Sequence, residues 1–215
     1  MKRLSIRNLF IKNIKWIILF VCIIAFLEIA EDVFDKDIMK KDIIGYNLVS
    51  TYLIKDFITP IAKFITNFGG AIFIMVVTVI LFLVIKNKKI GLSIIVNLSI
   101  VTILNVILKR ILQRPRPIEY RIIDETGYSF PSGHSMISMA FYGFLIYLLY
   151  KHAKNKYIKW SGIIILSLLI VLIGISRIYL GVHYTSDVLA GFLISVSYLI
   201  LFTSIVNKYV LEEGD

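Results

Sequence analysis

Negative charge and sulfur are both scarce in this chain. Of its 215 residues only 14 are Asp or Glu, against 24 Lys and Arg, and one cysteine, Cys22, lies inside an apolar run. A single thiol cannot close an intramolecular disulfide, so a stapled secreted scaffold is excluded. Charged residues of both signs make up 18% of the chain, whereas a soluble domain carries about 25%. Internal repeats and low-complexity linkers are also lacking. What is present is apolar: 58% hydrophobic residues, 14 Phe, 12 Tyr and long Ile/Leu runs, with a mean hydropathy of +0.84. That composition excludes disorder and points to an integral membrane protein. The length allows one domain, residues 1–215, with room for about six spans at ~20 residues each; a ten- or twelve-span carrier does not fit.

Six apolar runs are long enough, with their flanks, to cross a bilayer as helices. They are Trp16–Leu27 (continuing past Glu28 to Ala30), Phe68–Ile85, Ile90–Leu108, Ser135–Tyr150, Trp160–Ser176 and Val188–Val206. The first has the charged start of a signal peptide, but Glu28 and the acids after it do not form a small-residue cleavage site, so it is read as a retained span. The chain is therefore expected to be all-α, a bundle of six transmembrane helices.

The excess of +10, with a pI near 9.6, would suggest nucleic acid in a soluble protein. Here its distribution gives another account, and no nucleic-acid partner is expected. Lys2, Arg3, Arg7, Lys12 and Lys15 precede the first span. Lys86, Lys88 and Lys89 join the second to the third, and Lys151, Lys154, Lys156 and Lys159 join the fourth to the fifth. No acid interrupts these three segments, and alternation of six spans puts all twelve cations on one face. The positive-inside rule makes that face cytoplasmic, with both termini there too. Trp16 and Trp160, each following a lysine, suit the inner interfacial belt.

Between the first two spans, Ile44, Leu48 and Tyr52 form one row at helical spacing and Val49, Leu53 and Phe57 a second. An amphipathic helix over Ile43–Phe57 is expected, broken before Pro60, either lying on the outer surface or packed against the bundle.

The polar residues of the second half are not scattered. Lys109, Arg116 and Pro117 follow the third span, Pro131-Ser132-Gly133-His134 opens the fourth, Ser176-Arg177 closes the fifth, and His183 with Asp187 opens the sixth. Ends of odd spans and starts of even ones share a membrane face, so four distant pieces converge outside the cytoplasm. Lys109–Pro117 (KRILQRPRP) fits K-x6-R-P, residues 131–134 read P-S-G-H, and Ser176–Asp187 (SRIYLGVHYTSD) fits S-R-x5-H-x3-D. Together these resemble the tripartite signature of the type-2 phosphatidic acid phosphatase superfamily, the membrane lipid phosphate phosphatases. The signature spans residues 109–187, and no signature position departs from it.

The resemblance implies a hydrolase that removes phosphate from a lipid phosphate or pyrophosphate in the bilayer. Undecaprenyl pyrophosphate, phosphatidylglycerol phosphate and phosphatidic acid are the implied substrates. Lys109, Arg116 and Arg177 would surround the phosphate, arginine with planar forked donors and lysine as a point charge. Ser132 is a favoured N-cap and Gly133 lets backbone approach an anion, so the start of the fourth span makes an oxyanion site. Asp187, four residues after His183, shares a face with it if the sixth helix has begun there. A carboxylate on one ring nitrogen leaves the other free to attack phosphorus and form a phosphohistidine. The resemblance gives His134 the acid–base role. His152 sits among lysines and is expected to be solvated. Arg110, Arg114 and Arg121 are read as interfacial anchors. Ser93, Asn97, Asn105 and Lys109, spaced in multiples of four, form a polar stripe expected to bond between helices and position Lys109. Gly191 and Ser195, on the face of Asp187, are expected to permit close helix packing.

Two histidines and a carboxylate can also ligate iron or zinc, but three nearby cations repel a divalent ion, so neither a metal nor another cofactor is expected. The alternatives are a lipid phosphotransferase with the same residues and a non-enzymatic transporter or anion-binding protein. A carrier would not need a paired nucleophile and acid–base histidine.

Overall fold

The computed structural model describes residues 6–35, 40–119 and 121–211, with backbone alone for 6–12. These residues form α1 (Ile6–Phe34), α2 (Lys40–Leu53), α3 (Ile58–Asn67), α4 (Ala71–Val84), α5 (Lys88–Leu112), α6 (Gly133–His152), α7 (Lys156–Tyr179) and α8 (Thr185–Val206). A π-helical turn, Asn207–Leu211, follows. Among the described residues α5, α6, α7 and α8 with its π-turn are long and apolar enough to cross a membrane, and α3 with α4 makes a fifth crossing if the bent pair is one span. The expected first span falls within α1; of the basic stretch before it, residues 1–5 lie outside the described residues.

Local sequence sets the boundaries. Asn87 caps α5, its side chain accepting from the amides of Lys89 (3.0 Å) and Ile90 (3.4 Å). Asn155 does the same for α7, accepting from Tyr157 (2.8 Å) and Ile158 (3.2 Å). Such caps satisfy amides that have no partner within the helix. The run Phe68–Ile85 forms α4 after a three-residue lead, and at that lead, around Gly69-Gly70, α3 and α4 meet at 47°. A Cβ at Gly69 would come within 2.7 Å of the Ile173 side chain and 3.1 Å of the His134 ring, so the bend exists where only hydrogen fits.

The amphipathic segment also differs from expectation. Its helix ends at Leu53, and the chain re-enters a helix at Ile58 with Pro60 in the first turn, where a missing N–H costs nothing. Of the two apolar rows, Ile44, Leu48 and Tyr52 are exposed, whereas Val49 and Leu53 pack on Tyr179, Leu180 and Val182. Gly45 lets α2 touch the start of α8; a Cβ there would fall 2.1 Å from Oγ1 of Thr185.

The core lies between α4, α5, α6, α7 and α8, where Ile74, Ile94, Phe141, Phe144 and Ile173 are fully buried. Phe144 meets Phe202 edge-on at 5.2 Å between centroids. Outward residues of α7 such as Ile164, Ile165, Leu168 and Val171 are exposed, as lipid-facing positions are. Polar bonds cross between helices: the Asn97 amide donates to Ala140 O (2.9 Å), and the Ser195 hydroxyl to Met136 O (3.1 Å). Where lipid offers no partners, these bonds and small residues at contacts hold helices together.

At Gly174 an added Cβ would stand 2.5 Å from the Phe192 ring and 2.9 Å from Val188. Gly174→Leu should therefore push α7 from α8 at a cost of about 1–3 kcal/mol, and the melting temperature in detergent should fall by roughly 2–10 °C. An unchanged melting temperature would mean that the two helices are not close-packed there.

Candidate active site

Short connections decide which helix ends meet. Three residues join α4 to α5 (Ile85–Asn87) and three join α6 to α7 (Ala153–Asn155), while twenty, Gln113–Ser132, separate α5 from α6. The C-terminal ends of α5 and α7 and the N-terminal ends of α6 and α8 gather at one end of the bundle. The Ser132 amide donates to Asp187 O at 3.0 Å, tying the starts of α6 and α8 together. Gly191 allows this approach: a Cβ on it would stand 3.1 Å from Ser132 O.

The turn from α7 to α8 is tight, with Gly181 at φ 68, and it brings His183 to the threshold of α8. The spacing of four does not act along a helix face, because α8 begins only at Thr185. Instead Asp187, in the first turn, folds back over the helix start. Its Oδ2 accepts from the Tyr184 amide (2.9 Å) and pairs with His183 Nδ1 (3.2 Å). The opposite ring nitrogen, Nε2, lies 3.0 Å from Arg116 Nη1. A guanidinium only donates, so Nε2 accepts and the ring proton sits on Nδ1, facing the carboxylate. Burial pushes the His183 pKa down to about 4, assisted by Arg177 and Arg116, against the pull of the Asp187 hydrogen bond and charge.

The cations converge as expected. Arg116 is clamped by carbonyls, its Nε donating to Thr126 O (3.2 Å) and Gly127 O (3.1 Å) and its Nη1 to Val182 O (3.0 Å). Burial lowers its pKa, with Glu125 and Asp187 opposing. Arg177, in the last turn of α7, is only 1% exposed. It donates from Nη1 to Thr66 Oγ1 (2.8 Å) on α3 and from Nη2 to Glu125 Oε1 (2.6 Å), while its buried Nε has no partner among the described residues. Lys109 Nζ donates to the carbonyls of Tyr128 and Ser129. Ser132 caps α6, its hydroxyl oxygen accepting from the Ser135 amide (3.4 Å) and hydroxyl (3.0 Å). Gly133 follows it against Asn105, whose amide donates to Pro131 O (3.2 Å). The polar stripe thus holds the start of α6 beside the turn that bears Lys109. His134 lies over Gly69, within electrostatic reach of Arg177, His183, Arg116 and Lys109. His152 is exposed.

Four residues that the sequence did not assign to the site take part in it: Arg114, Asp42, Thr66 and Glu125. Arg114 is no interfacial anchor: at 6% exposure it donates to Asp187 Oδ1, Asp42 Oδ2 and Ser186 Oγ, each at 2.7 Å, and stacks 4.0 Å over the Tyr184 ring. Burial opposes its charge, but Asp187 and Asp42 outweigh burial and raise its pKa. Asp42, buried on α2, also accepts from the Ser186 amide (2.8 Å). Thr66 and Glu125 hold Arg177. An acid in the first turn of an amphipathic helix and a third arginine inside the first motif were the available signals. Nothing in the sequence joins them across 72 positions. Arg110 and Arg121 are exposed, in keeping with the anchor reading.

A cavity of about 450 Å³ opens beside His183 and Arg116, bounded by α2 residues Ile43, Tyr46 and Asn47 and by Pro117–Glu119. Fold and site therefore define a helical membrane protein with a histidine–carboxylate pair and an arginine at the edge of a cavity. Residues 89–210 match the PAP2 superfamily, and the chain belongs to that superfamily. It is 44% identical over 94 residues to phosphatidylglycerophosphatase B of Bacillus subtilis, a match covering 42% of this chain and 45% of that protein. It is 28% identical over 158 residues to an undecaprenyl-diphosphatase of Sulfolobus acidocaldarius, covering 71% of this chain and 69% of that one. The crystal structure of a transmembrane PAP2-type phosphatidylglycerolphosphate phosphatase from Bacillus subtilis superposes with a TM-score of 0.76 at 28% identity, covering 89% of this chain and 96% of that one.

Arg114→Met should leave two buried carboxylates unpaired and cost about 3–5 kcal/mol of stability, with partial recovery when Asp42→Asn is added. Melting in detergent reads both, and an Arg114→Met protein as stable as the parent would contradict the bridge. His183 makes a second, pH-dependent contribution. Its folded value near 4 lies below the ordinary ~6.5, so the stability it contributes is full above ~6.5 and is lost as the pH falls through 4. The melting-temperature advantage over His183→Asn should shrink across that window.

Proposed function

We propose that this protein is a metal-independent membrane phosphatase that removes phosphate from lipid phosphates or pyrophosphates through a phosphohistidine. The observation that carries the reading is His183, its Nδ1–H held by Asp187 and its Nε2 lone pair kept neutral and turned toward a guanidinium. Family membership and the likeness to lipid phosphatases support it.

In this reading Arg116, Arg177, Lys109, the Ser132 hydroxyl and the Gly133 amide hold the phosphoryl oxygens. A cation–anion contact at 4 Å is worth about 4 kcal/mol at an effective dielectric near 20, before desolvation is deducted. On binding, Arg116 exchanges its bond to Nε2 for one to a phosphoryl oxygen. The freed lone pair attacks phosphorus, the bond to the lipid oxygen breaks, and that oxygen takes a proton from His134, which picks it up from water once the phosphoryl anion offsets the surrounding cations. Asp187 stabilises the positive imidazole that forms. His134 then takes a proton from water as the water attacks phosphorus and the P–N bond breaks. Positioning and charge do the catalysis, as a loose phosphoryl-transfer transition state requires. The cluster of cations favours an oxyanion over a divalent metal at this position.

The proposed topology has six spans, with α1 as the first and both termini cytoplasmic. The lysine-bearing connections Ile85–Asn87 and Ala153–Asn155 lie at the end of the bundle opposite His183, so the positive-inside rule supports an extracytoplasmic site. At that end the exposed row Ile44, Leu48 and Tyr52 of α2 suits contact with the outer leaflet. Undecaprenyl pyrophosphate and phosphatidylglycerol phosphate are the two leading substrates, each matched by a relative's activity, with phosphatidic acid third.

Purified protein should release inorganic phosphate from detergent-dispersed lipid phosphates with chelator present, and His183→Asn should lose at least about 10³-fold in kcat. Full activity in that variant would remove the nucleophile. Comparing kcat/KM across the three lipids ranks the substrates, and dependence on an added lipid alcohol would mark a phosphotransferase instead.

A further inference from the structure

The carboxylate of Glu125 occupies the place that the proposed function gives to phosphate. Its Oε1 accepts from Arg177 Nη2 at 2.6 Å, and its Oε2 stands 3.9 Å from Arg116 Nη2. Two of the three signature cations thus share one side-chain anion. The Arg177 side chain is 1% exposed and that of Glu125 is 30% exposed, so the carboxylate forms the outer cover of this guanidinium. The cavity beside His183 reaches Arg116 and stops there, without touching Arg177, Lys109 or His134.

We propose that Glu125 is a specificity-determining residue that acts as a built-in competitor, holding Arg177 and Arg116 in the empty site and yielding them only to a phosphoryl group that is anchored by its lipid. The inference rests on the phosphate-site reading above. A carboxylate and a phosphoryl edge offer the same pair of acceptor oxygens to a forked guanidinium, so one replaces the other without moving the arginine. Arg177 is already fixed at Nη1 by Thr66, and its unpartnered Nε is a donor that a phosphoryl oxygen would satisfy.

The backbone allows the exchange. Arg116 grips the carbonyls of Thr126 and Gly127, immediately after Glu125, so the peptide stays anchored while the side chain turns about its own bonds. Only rotamer change is required, not unfolding of the connection. The energetic consequence is a reduced apparent affinity for every anion, by the fraction of time the arginines are free. A lipid substrate recovers the loss through its apolar tail. Free phosphate, the product, has no tail, and the returning carboxylate displaces it.

A purely structural Glu125 predicts the opposite behaviour. If it only neutralised Arg177, Glu125→Gln would leave a buried charge unpaired, lower the melting temperature and weaken anion binding.

The test uses the full chain in detergent, with orthovanadate and inorganic phosphate as probes. Inhibition constants are read against lipid phosphate hydrolysis, and the melting-temperature shift produced by vanadate is read without substrate. In Glu125→Gln both inhibition constants should fall about tenfold, with a matching fall in KM and a larger vanadate shift; such a change corresponds to about 1.4 kcal/mol. Unchanged or weaker anion binding would overturn the proposal. If Glu125→Gln does not fold, Glu125→Asp, one methylene too short to hold Arg177 Nη2, should still tighten vanadate, and failure to do so overturns it equally. Should no lipid phosphate be hydrolysed, the proposed function falls while the vanadate shift still judges Glu125.

Discussion

A single carboxylate, Asp187, holds the site together. It is fully buried, and its two oxygens accept from the Tyr184 amide, the His183 imidazole and the Arg114 guanidinium. Through the first it starts α8, through the second it fixes which imidazole nitrogen carries the proton, and through the third it reaches Asp42 on α2. A buried anion is costly unless all of its lone pairs are used. The starts of α6 and α8, the α7–α8 turn and α2 therefore meet at that point. The capping of α8 and the orientation of His183 are one structural event rather than two.

Electrostatics divides the site into two layers. In the inner layer Arg114 is matched by Asp42 and Asp187 and is closed to any ligand. In the outer layer Arg116 and Arg177 share Glu125 while Lys109 donates to backbone carbonyls, which leaves an excess of positive charge where the proposed function puts a phosphoryl group. Burial keeps His183 neutral despite its carboxylate partner. In the proposed reaction, an imidazole so held needs no deprotonation before it attacks. Glu125 itself stays ionised: burial favours its neutral form, but the Arg177 hydrogen bond and the charges of Arg177 and Arg116 lower its pKa overall.

Much of this was legible in the sequence because it is written in local patterns. Apolar runs of span length, acid-free lysine clusters in alternate connections, an asparagine or serine before a helix, and motif residues at helix ends all depend on neighbours within a few positions. Hence α5 to α8, the Ser132 cap and the meeting of Lys109, Arg116, His134, Arg177 and His183 match expectation. What was not legible depends on distance. The bend between α3 and α4 comes from His134 and Ile173 crowding Gly69. The role of Arg114 comes from an acid 72 positions earlier. A buried arginine and an anchoring one have the same local sequence, and only packing tells them apart.

The residues that complete the pocket extend beyond its signature. Asp42 and Thr66 lie upstream of residue 89, where the superfamily match begins, yet they hold Arg114 and Arg177. The three motifs are consequently not a portable cassette. Grafted onto other helices without α2 and α3, they would leave two guanidinium groups each short of one fixed partner. For this architecture the pocket is a property of the whole bundle, because side chains of the amino-terminal helices hold guanidinium groups 72 and 111 positions further along the chain.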